Sequence, residues 1–390
     1  MNHENWMQDG LGKLRGQTAL RSLTSYAAAG GKITVEGKPV LNFSSNDYLD
    51  LARHPHVLLR AHEALDRFGA GATASRLVTG TLPIHEEFEE RLARHKGYPA
   101  SLLFGSGYMT NAGVIPALVV RDDTVIADRL VHASVIDAIT LSRARLIRFQ
   151  HNDVDHLRDA LAGSGEGRRL VVTESVFSMD GDLAPLDDIA RAAGDCGAML
   201  MIDEAHATGV FGPHGAGLVA VKDLQHAVHL SMCTLSKALG GYGGAVACSA
   251  LMKQWLINKA RALIYTTAPP PASIGAALGA LDVLEREAGL GNELLRRARL
   301  FRERLHAAGI ATMQSASQIV PVMAGSNARA ISLSRRLRER GMVVVAIRPP
   351  TVPDGTSRLR FSITLAHEEA DVARATDEVI AAMQADKVTA

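Results

Sequence analysis

The sequence has almost no excess of charge of either sign. Its 390 residues include 42 Lys and Arg and 41 Asp and Glu, which gives a formal net charge of +1. Proteins that bind nucleic acid or an anionic membrane through electrostatics carry a surplus of basic residues. The arginines of "LLRRARLFRERL" (294–305) alternate with apolar residues at helical spacing, which is typical of the solvated face of an amphipathic helix. The composition therefore predicts neither nucleic acid nor a membrane as a partner.

Cysteine is also scarce, and no long apolar segment has the character of a membrane span. Cys196, Cys233 and Cys248 are too few and too widely spaced for a disulfide framework or a zinc knuckle, and their apolar neighbours predict buried, reduced thiols. The uncharged stretch 262–281 holds three consecutive prolines, which favours a loop and a helix over a transmembrane helix. The start "MNHENWMQDG" lacks the basic and apolar regions of a signal peptide. We therefore expect a cytoplasmic protein.

Short apolar runs do occur, and they alternate with helical patterns between about residues 46 and 285. Because continuous apolar runs separated by helices are typical of a mostly parallel sheet covered on both faces, this segment is predicted to be the large domain of an α/β fold. Residues 1–45 are predicted as a helix and an extended piece, and residues 286–390 as a smaller α+β C-terminal domain. The candidate strands of the large domain are "TVIAD" (124–128), "RLIRF" (145–149), "RLVVTES" (169–175), "AMLMID" (198–203), "HLSMCTL" (229–235) and "GGAVACS" (243–249).

One lysine stands among small, mostly uncharged residues in "TLSKALGG" (234–241). Most lysines are solvated, but a lysine in a confined pocket can form a Schiff base with a carbonyl cofactor. The motif starts with Thr234 rather than serine, so Lys237 does not belong to an S-x-x-K acyl-transfer site. Lys237 is therefore a candidate cofactor lysine, and Thr234 is a hydroxyl at the end of the preceding strand.

Asp203 is predicted at the end of an apolar strand in "MLMIDEAHATG", with His206 in the following turn. Ligands of parallel sheets bind beyond the carboxyl ends of the strands, and a buried carboxylate there needs a cationic partner. A protonated pyridine nitrogen is such a partner. The letters "DEAH" also occur in P-loop helicases, but "AGGKIT" lacks the first glycine of the required phosphate loop, which argues against a helicase.

Further candidates follow other predicted strands. Gly107 in "LFGSGYMTN" opens a helical pattern, where backbone N–H groups can approach a phosphate. Ser178 in "VFSMDGD" is a strand-end hydroxyl, which could equally be a turn residue. His132 in "DRLVHASV" could stack on a flat ring or be structural. No metal site is predicted, because "HEEFEE" has Glu89 where a zinc motif needs its second histidine.

The order of these motifs resembles that of the fold-type I pyridoxal-phosphate enzymes, and among them the α-oxoamine synthases. The resemblance covers nearly the whole chain, and "NFSSNDYL", "HNDVDHL", "VFSMDGDLAPL" and "AIRPPTVPDGTSRLR" are its most specific segments. It implies a large domain with a mostly parallel central sheet, a smaller α+β C-terminal domain, and pyridoxal 5′-phosphate as the cofactor. It also implies a homodimer with its sites at the interface.

The resemblance assigns a role to each candidate residue. It implies that Lys237, Asp203 and His132 are catalytic: Lys237 holds the cofactor, Asp203 pairs with the pyridine nitrogen, and His132 stacks on the ring. His206 is expected at the phenolic oxygen. The other implied cofactor contacts are Gly107, Tyr108, Ser178, Thr234, Thr266 and Thr267, the last two reaching the neighbouring subunit's phosphate. The implied substrate contacts are Arg21, His132, Thr351 and Arg360, with Arg360 on the amino-acid carboxylate.

The reaction implied by the resemblance joins an amino acid to an acyl thioester with loss of carbon dioxide. We expect L-alanine and a pimeloyl thioester, carried by coenzyme A or an acyl-carrier protein, as the substrates, and a place in biotin biosynthesis. Members of the family that use glycine share most of the motifs, so glycine with acetyl-CoA is an alternative pair. A regulatory module on the same fold is a further alternative, although no helix-turn-helix or basic extension accompanies the sequence.

Overall fold

The fold is described from a computed structural model, which describes residues 3–17, 19–26, 30–35 and 37–388. The chain divides into two compact units that are not contiguous in sequence. The first combines Met1–Ser45, Met179–Gly181 and Arg296–Ala390, and the second combines Asn46–Ser178 and Asp182–Leu295. The sequence predicted three consecutive segments instead, at residues 1–45, 46–285 and 286–390. The two units do not test that division, which stays a prediction.

The second unit contains a seven-stranded sheet with the strand order β3-β9-β8-β7-β6-β4-β5. All neighbouring strands are parallel except at β9, which runs antiparallel to β3 and β8. The mostly parallel sheet predicted from the sequence is therefore confirmed. The strands are β3 (Ala100–Phe104), β4 (Thr124–Asp128), β5 (Arg145–Phe149), β6 (Arg169–Glu174), β7 (Met199–Asp203), β8 (Leu230–Thr234) and β9 (Gly244–Cys248).

Helices follow most of these strands and cover the sheet, whose core residues are almost all fully buried. Because β4, β6, β7 and β8 are parallel, the residues that follow them meet at one edge of the sheet. The helices of this unit are α2 (Pro55–Phe68), α3 (Pro83–Lys96), α4 (Gly107–Leu118), α5 (Ala133–Ser142), α6 (Val154–Ala162), α7 (Leu186–Asp195), α8 (Leu218–Val221), α9 (Ala250–Lys259), α10 (Arg261–Ile264) and α11 (Pro271–Arg286), and α12 (Leu290–Ala307) begins here.

The first unit is built from two small sheets with helices. One sheet has the order β1-β2-β11 and the other β10-β13-β12. Phe361 packs between Phe43 and Phe301, with ring centroids 5.8 and 5.1 Å away, and these aromatic contacts form part of its core. Its elements are α1 (Asn5–Gly16), β1 (Lys32–Val35), β2 (Lys38–Asn42), β10 (Ile319–Gly325), α13 (Asn327–Glu339), β11 (Met342–Val343), β12 (Val345–Ile347), β13 (Ser357–Ser362) and α14 (Glu369–Val388).

The structure bears on the predictions for the cysteines and for membrane-spanning segments. Cys233 and Cys248 are buried, and burial raises the pKa of the Cys233 thiol to about 11 and that of Cys248 to about 12. Cys196 is only half-buried, so the prediction was wrong for this residue, which follows α7 at its exposed end. Throughout the described residues, no helix combines the length and the hydropathy that crossing a membrane requires.

Candidate active site

Lys237 lies in the turn that follows β8 and is linked to two other side chains. Its Nζ is 2.7 Å from Nε2 of His206, and Nδ1 of His206 is 2.7 Å from the hydroxyl of Tyr48. When Lys237 is an ammonium group, Nε2 of His206 must accept, and a neutral imidazole then donates from Nδ1 to Tyr48. The opposite protonation pattern reverses both hydrogen bonds. The three side chains therefore form a continuous path for a proton.

The glycine at position 240, three residues after Lys237, is required for steric reasons. Gly240 has a φ of +64°, and a Cβ at this position would overlap the backbone of Leu51 and Ala52. The Gly240 N–H donates to the carbonyl of Lys237 at 2.9 Å, which closes the turn. A glycine is therefore needed to hold Lys237 in this tight turn.

Asp203 is the last residue of β7 and is only 5 % exposed. Its Oδ2 accepts from Nδ2 of Asn111 at 3.1 Å, and its Oδ1 accepts from the backbone N–H of Ala205 at 2.9 Å. Among the described residues it forms no salt bridge, although Lys237 and Asp203 both act electrostatically on His132. A buried carboxylate that has neutral donors but no ion-pair partner is suited to a ligand cation.

His132 caps the N-terminus of α5 and lies at the rim of this site. The Ser134 backbone N–H donates to its Nδ1 at 3.2 Å, so the proton of the neutral ring is on Nε2. Desolvation lowers the pKa of His132, and the charge of Asp203 opposes this effect. Ser134 also accepts from Asn111 at 2.9 Å, which connects the histidine cap to the Asp203 carboxylate. The ring is therefore held neutral and in one tautomer.

The start of α4 forms a cradle beside the end of β8. Ser106 caps the helix by accepting from the Met109 N–H at 3.1 Å, and Gly107 is the first helical residue. A Cβ on Gly107 would lie 3.0 Å from Cε of Met232 and 3.3 Å from Oγ1 of Thr234, so glycine keeps this space open. The first N–H groups of a helix have no partner within the helix and attract anions.

The remaining predicted residues lie in other positions. Tyr108 is exposed, and its hydroxyl donates to Asp137 at 2.5 Å, a hydrogen bond that raises the tyrosine pKa. Ser178 is half-buried and follows β6. Thr267 forms an isolated bridge with Ser75, and Thr266 precedes it. Within the described part of the chain, neither threonine side chain is hydrogen-bonded to Lys237, His206 or Tyr48.

Of the predicted substrate contacts, Arg21, Thr351 and Arg360 belong to the first unit and His132 to the second. Arg21 donates from Nη2 to Oγ1 of Thr351 at 3.4 Å, and both residues are exposed. Arg360 lies on β13, is 7 % exposed, and donates from Nη1 to Oγ of Ser362 at 2.8 Å. Thr351 and Arg21 are thus brought together, as a shared role would require.

Several residues of the site were not among the predicted ones. Tyr48 contacts His206 across 158 residues of sequence, and Asn111 contacts Asp203 across 92. Tyr48 does lie in "NFSSNDYL", one of the segments that carry the resemblance, so that segment held the available signal. Asn111 and Ser134 are polar residues inside helical patterns, and nothing in their spacing marks them.

The geometry fits pyridoxal 5′-phosphate group by group. The cofactor offers a phosphate, which suits the N-terminus of α4, and a protonated pyridine nitrogen, which suits the unpaired carboxylate of Asp203. Its aldehyde requires a lysine, and Lys237 is the lysine of this cluster. The flat ring suits stacking by the neutral imidazole of His132.

Comparison with known proteins gives the same assignment. The family model described as aminotransferase class I and II matches residues 38–379. The chain belongs to this family. An 8-amino-7-oxononanoate synthase from Geobacter sulfurreducens is 48% identical over 369 residues, which cover 94% of each chain. The corresponding synthase from Anaeromyxobacter dehalogenans is 47% identical over 369 residues, covering 94% of this chain and 93% of the relative. This member of the aminotransferase family is therefore similar to α-oxoamine synthases over nearly its full length.

Solved structures of family members support the fold. Serine palmitoyltransferase from S. paucimobilis has a TM-score of 0.91 at 30% identity, covering 99% of this chain and 98% of that chain. 8-Amino-7-oxononanoate synthase from Francisella tularensis has a TM-score of 0.77 at 28% identity, covering 89% and 99%. The predicted fold-type I class and the predicted place among pyridoxal-phosphate enzymes are confirmed.

Proposed function

We propose that the protein is an 8-amino-7-oxononanoate synthase of biotin biosynthesis. It condenses L-alanine with pimeloyl-CoA or pimeloyl-[acyl-carrier protein], and it releases 8-amino-7-oxononanoate, carbon dioxide and free CoA or carrier protein. The observation that carries the proposal is the Lys237–His206–Tyr48 chain beside the unpaired Asp203 carboxylate. The relatives with this name, at 44–48% identity, support the choice among α-oxoamine synthases.

The cofactor of the proposed reaction is pyridoxal 5′-phosphate. When bound, it supplies an electron sink for the charge that develops at the amino-acid α-carbon. Asp203 would pair with its pyridine nitrogen, Lys237 would hold its aldehyde carbon, and His132 would stack on the ring. His206 would turn from Lys237 to the phenolic oxygen. Further contacts with the cofactor would come from Gly107, Tyr108, Ser178 and Thr234.

Lys237 is the proposed base. Its amine removes the α-proton of alanine, and the new carbon–carbon bond forms between that carbon and the thioester carbonyl carbon, with the thiol as leaving group. After carbon dioxide leaves, Lys237 returns a proton to the same carbon. Lys237 would therefore act first as a general base and then as a general acid at one carbon, as a positioned side chain does in general acid–base catalysis.

The proposed substrate contacts are Arg21, His132, Thr351 and Arg360. Arg360 would pair with the alanine carboxylate, because a buried guanidinium offers two parallel N–H donors to a carboxylate. Arg21 and Thr351, which are in hydrogen-bond contact, would bind the polar end of the pimeloyl chain.

The proposed assembly is a cytoplasmic homodimer in which Thr266 and Thr267 reach the phosphate of the partner's site. Val78 and Tyr265 are 74% and 71% exposed, and the Ser75–Thr267 bridge joins the two segments that carry them. Exposed apolar residues on adjoining segments are typical of an interaction surface. The absence of disulfides among the three free cysteines suits a reducing compartment.

The test is a comparison of kcat/KM for L-alanine and glycine, each with a pimeloyl and an acetyl thioester. We expect L-alanine with the pimeloyl thioester to be the best pair. Burial of each methylene group stabilises binding by about 0.8 kcal/mol, so four further methylenes favour pimeloyl by roughly a hundredfold. If glycine with acetyl-CoA is the best pair, the protein is a glycine-using synthase and the proposal is wrong.

A further inference from the structure

Glu174 is a buried carboxyl group that the proposed reaction does not use. It ends β6, is 3% exposed, and pairs in register with Asp203 on the parallel strand β7. Residues in register on neighbouring strands project from the same face of a sheet. Two carboxyl groups therefore lie side by side at the edge where the site is formed.

The two carboxyl groups have unequal surroundings. Asp203 accepts hydrogen bonds on both oxygens, from Asn111 and from the backbone of Ala205. Glu174, in contrast, has an Oε1 that is buried and has no hydrogen-bond partner among the described residues. Hydrogen-bond donors stabilise the ionised form, so the surroundings favour the charge on Asp203.

Burial and the charged groups that face Glu174 together raise the pKa of its carboxyl group. Asp203 on β7 and Asp128 at the end of β4 are acidic and raise its pKa, while Lys237 after β8 and the His132 N–H lower it. Desolvation is the largest effect, and the balance raises the pKa of Glu174 well above its ordinary value. Pairs of groups whose surroundings separate their pKa values are the usual arrangement for one proton shared between two carboxyls.

We propose that Glu174 is a neutral carboxylic acid in the working enzyme, so that the Glu174–Asp203 pair holds one proton and one negative charge. The inference rests on the proposed function, because the single charge matters as the partner of one protonated pyridine nitrogen. A second anion would leave an uncompensated buried charge beside Asp203. Glu174 acts through its neighbour Asp203 and is a positioning residue.

Infrared difference spectroscopy of the cofactor-loaded protein tests the protonation state directly. We expect a carbonyl-stretch band of a protonated carboxylic acid at neutral pH that disappears in Glu174→Gln. Asp187→Asn is the control, because Asp187 forms an exposed ion pair with Lys222, and its loss should leave the band in place. A neutral-pH spectrum in which Glu174→Gln removes a carboxylate band instead would overturn the proposal.

Turnover gives a second readout. Glutamine imitates a neutral acid, so kcat/KM of Glu174→Gln should stay within about threefold of wild type with an unchanged pH profile. A tenfold loss or a shifted pH profile in Glu174→Gln would show that the charge is required and would contradict the proposal. The infrared band needs no substrate, so it distinguishes this failure from failure of the proposed function.

Discussion

Asp203 and Glu174 differ from the other buried carboxylates of the second unit in having no cation attached. Glu89 is paired with Arg76 and Lys253, both at 2.8 Å, and Glu204 is paired with Lys96 at 2.9 Å. Among the described residues, neither Asp203 nor Glu174 has a salt bridge. Both lie at strand ends beside Lys237, so the unpaired acidity of this unit is concentrated where a cationic ligand is expected.

Asp203→Asn tests the role of that negative charge. The substitution keeps the shape and removes the charge that would hold the pyridine nitrogen protonated. We expect exchange of the alanine α-proton with solvent to slow by orders of magnitude, as for loss of a major electrostatic contribution to catalysis. Nuclear magnetic resonance of alanine in deuterated buffer measures the rate, with circular dichroism and cofactor content as controls. Near-normal exchange in a folded, cofactor-loaded variant would refute the role.

The sequence indicated some site residues and not others for a physical reason. Lys237, Asp203 and His206 follow recognisable strands, and parallel strands bring their ends together whatever the loops do. Tyr48 and Asn111 enter the site from a turn and a helix, and their contacts depend on tertiary packing that no local pattern records. The catalytic and binding roles of all these residues stay predictions until they are measured.

At the scale of elements, a buried ion pair connects α3 to the turn that carries His206. The Lys96 ammonium, at the end of α3, donates to Glu204, to Thr208 and to the carbonyl of Ala216 at 2.9, 3.0 and 3.0 Å. Glu204 directly follows Asp203 and also accepts from Ser231 on β8 at 2.9 Å. Every donor of the ammonium is satisfied, so the turn after β7 is held from three sides.

Lys96→Met should therefore destabilise the protein strongly. Removing one partner of a buried pair leaves an uncompensated charge, which costs about 3–5 kcal/mol. The matched control is Lys222→Met, because Lys222 and Asp187 form an exposed pair whose loss should cost less than about 1 kcal/mol. Urea unfolding measures both free energies. Equal, small losses in the two variants would show that the buried pair does not hold the turn.

The elements themselves were largely predictable. All six predicted strands of the large domain occur within one residue of their expected ends, because their apolar runs are bounded by polar or glycine residues. The strand Ala100–Phe104 was not predicted. The antiparallel direction of β9 was not predicted either, because a strand's direction is set by its pairing with β3 and β8 and not by its own residue pattern.

At the scale of the molecule, the sequence cannot reveal that residues 1–45 and 296–390 group into one compact unit, because the grouping rests on contacts between distant segments.

A network of ion pairs around His151 contributes to the stability of the second unit. His151 joins Asp128 and Asp182 through its two ring nitrogens, at 3.0 and 2.8 Å. Burial lowers the pKa of His151, but these two carboxylates outweigh it and raise the pKa to about 10.

This histidine predicts how stability depends on pH. Its folded pKa of about 10 exceeds the unfolded value of about 6.5. Its contribution is therefore complete below about pH 6.5 and is lost as the pH rises towards 10. We expect the free energy of unfolding of wild type to fall over this interval more steeply than that of His151→Gln. Urea titrations at several pH values measure the difference, and parallel profiles would exclude a charged His151.

The central claim is that Lys237 is the residue that carries the cofactor. Borohydride reduction of the pyridoxal-phosphate-loaded protein, followed by peptide mass spectrometry, maps the lysine that becomes covalently labelled. We expect one pyridoxyl group per chain on the peptide that contains Lys237, and no label in Lys237→Ala. Label on a different lysine, or full turnover by Lys237→Ala, would contradict it.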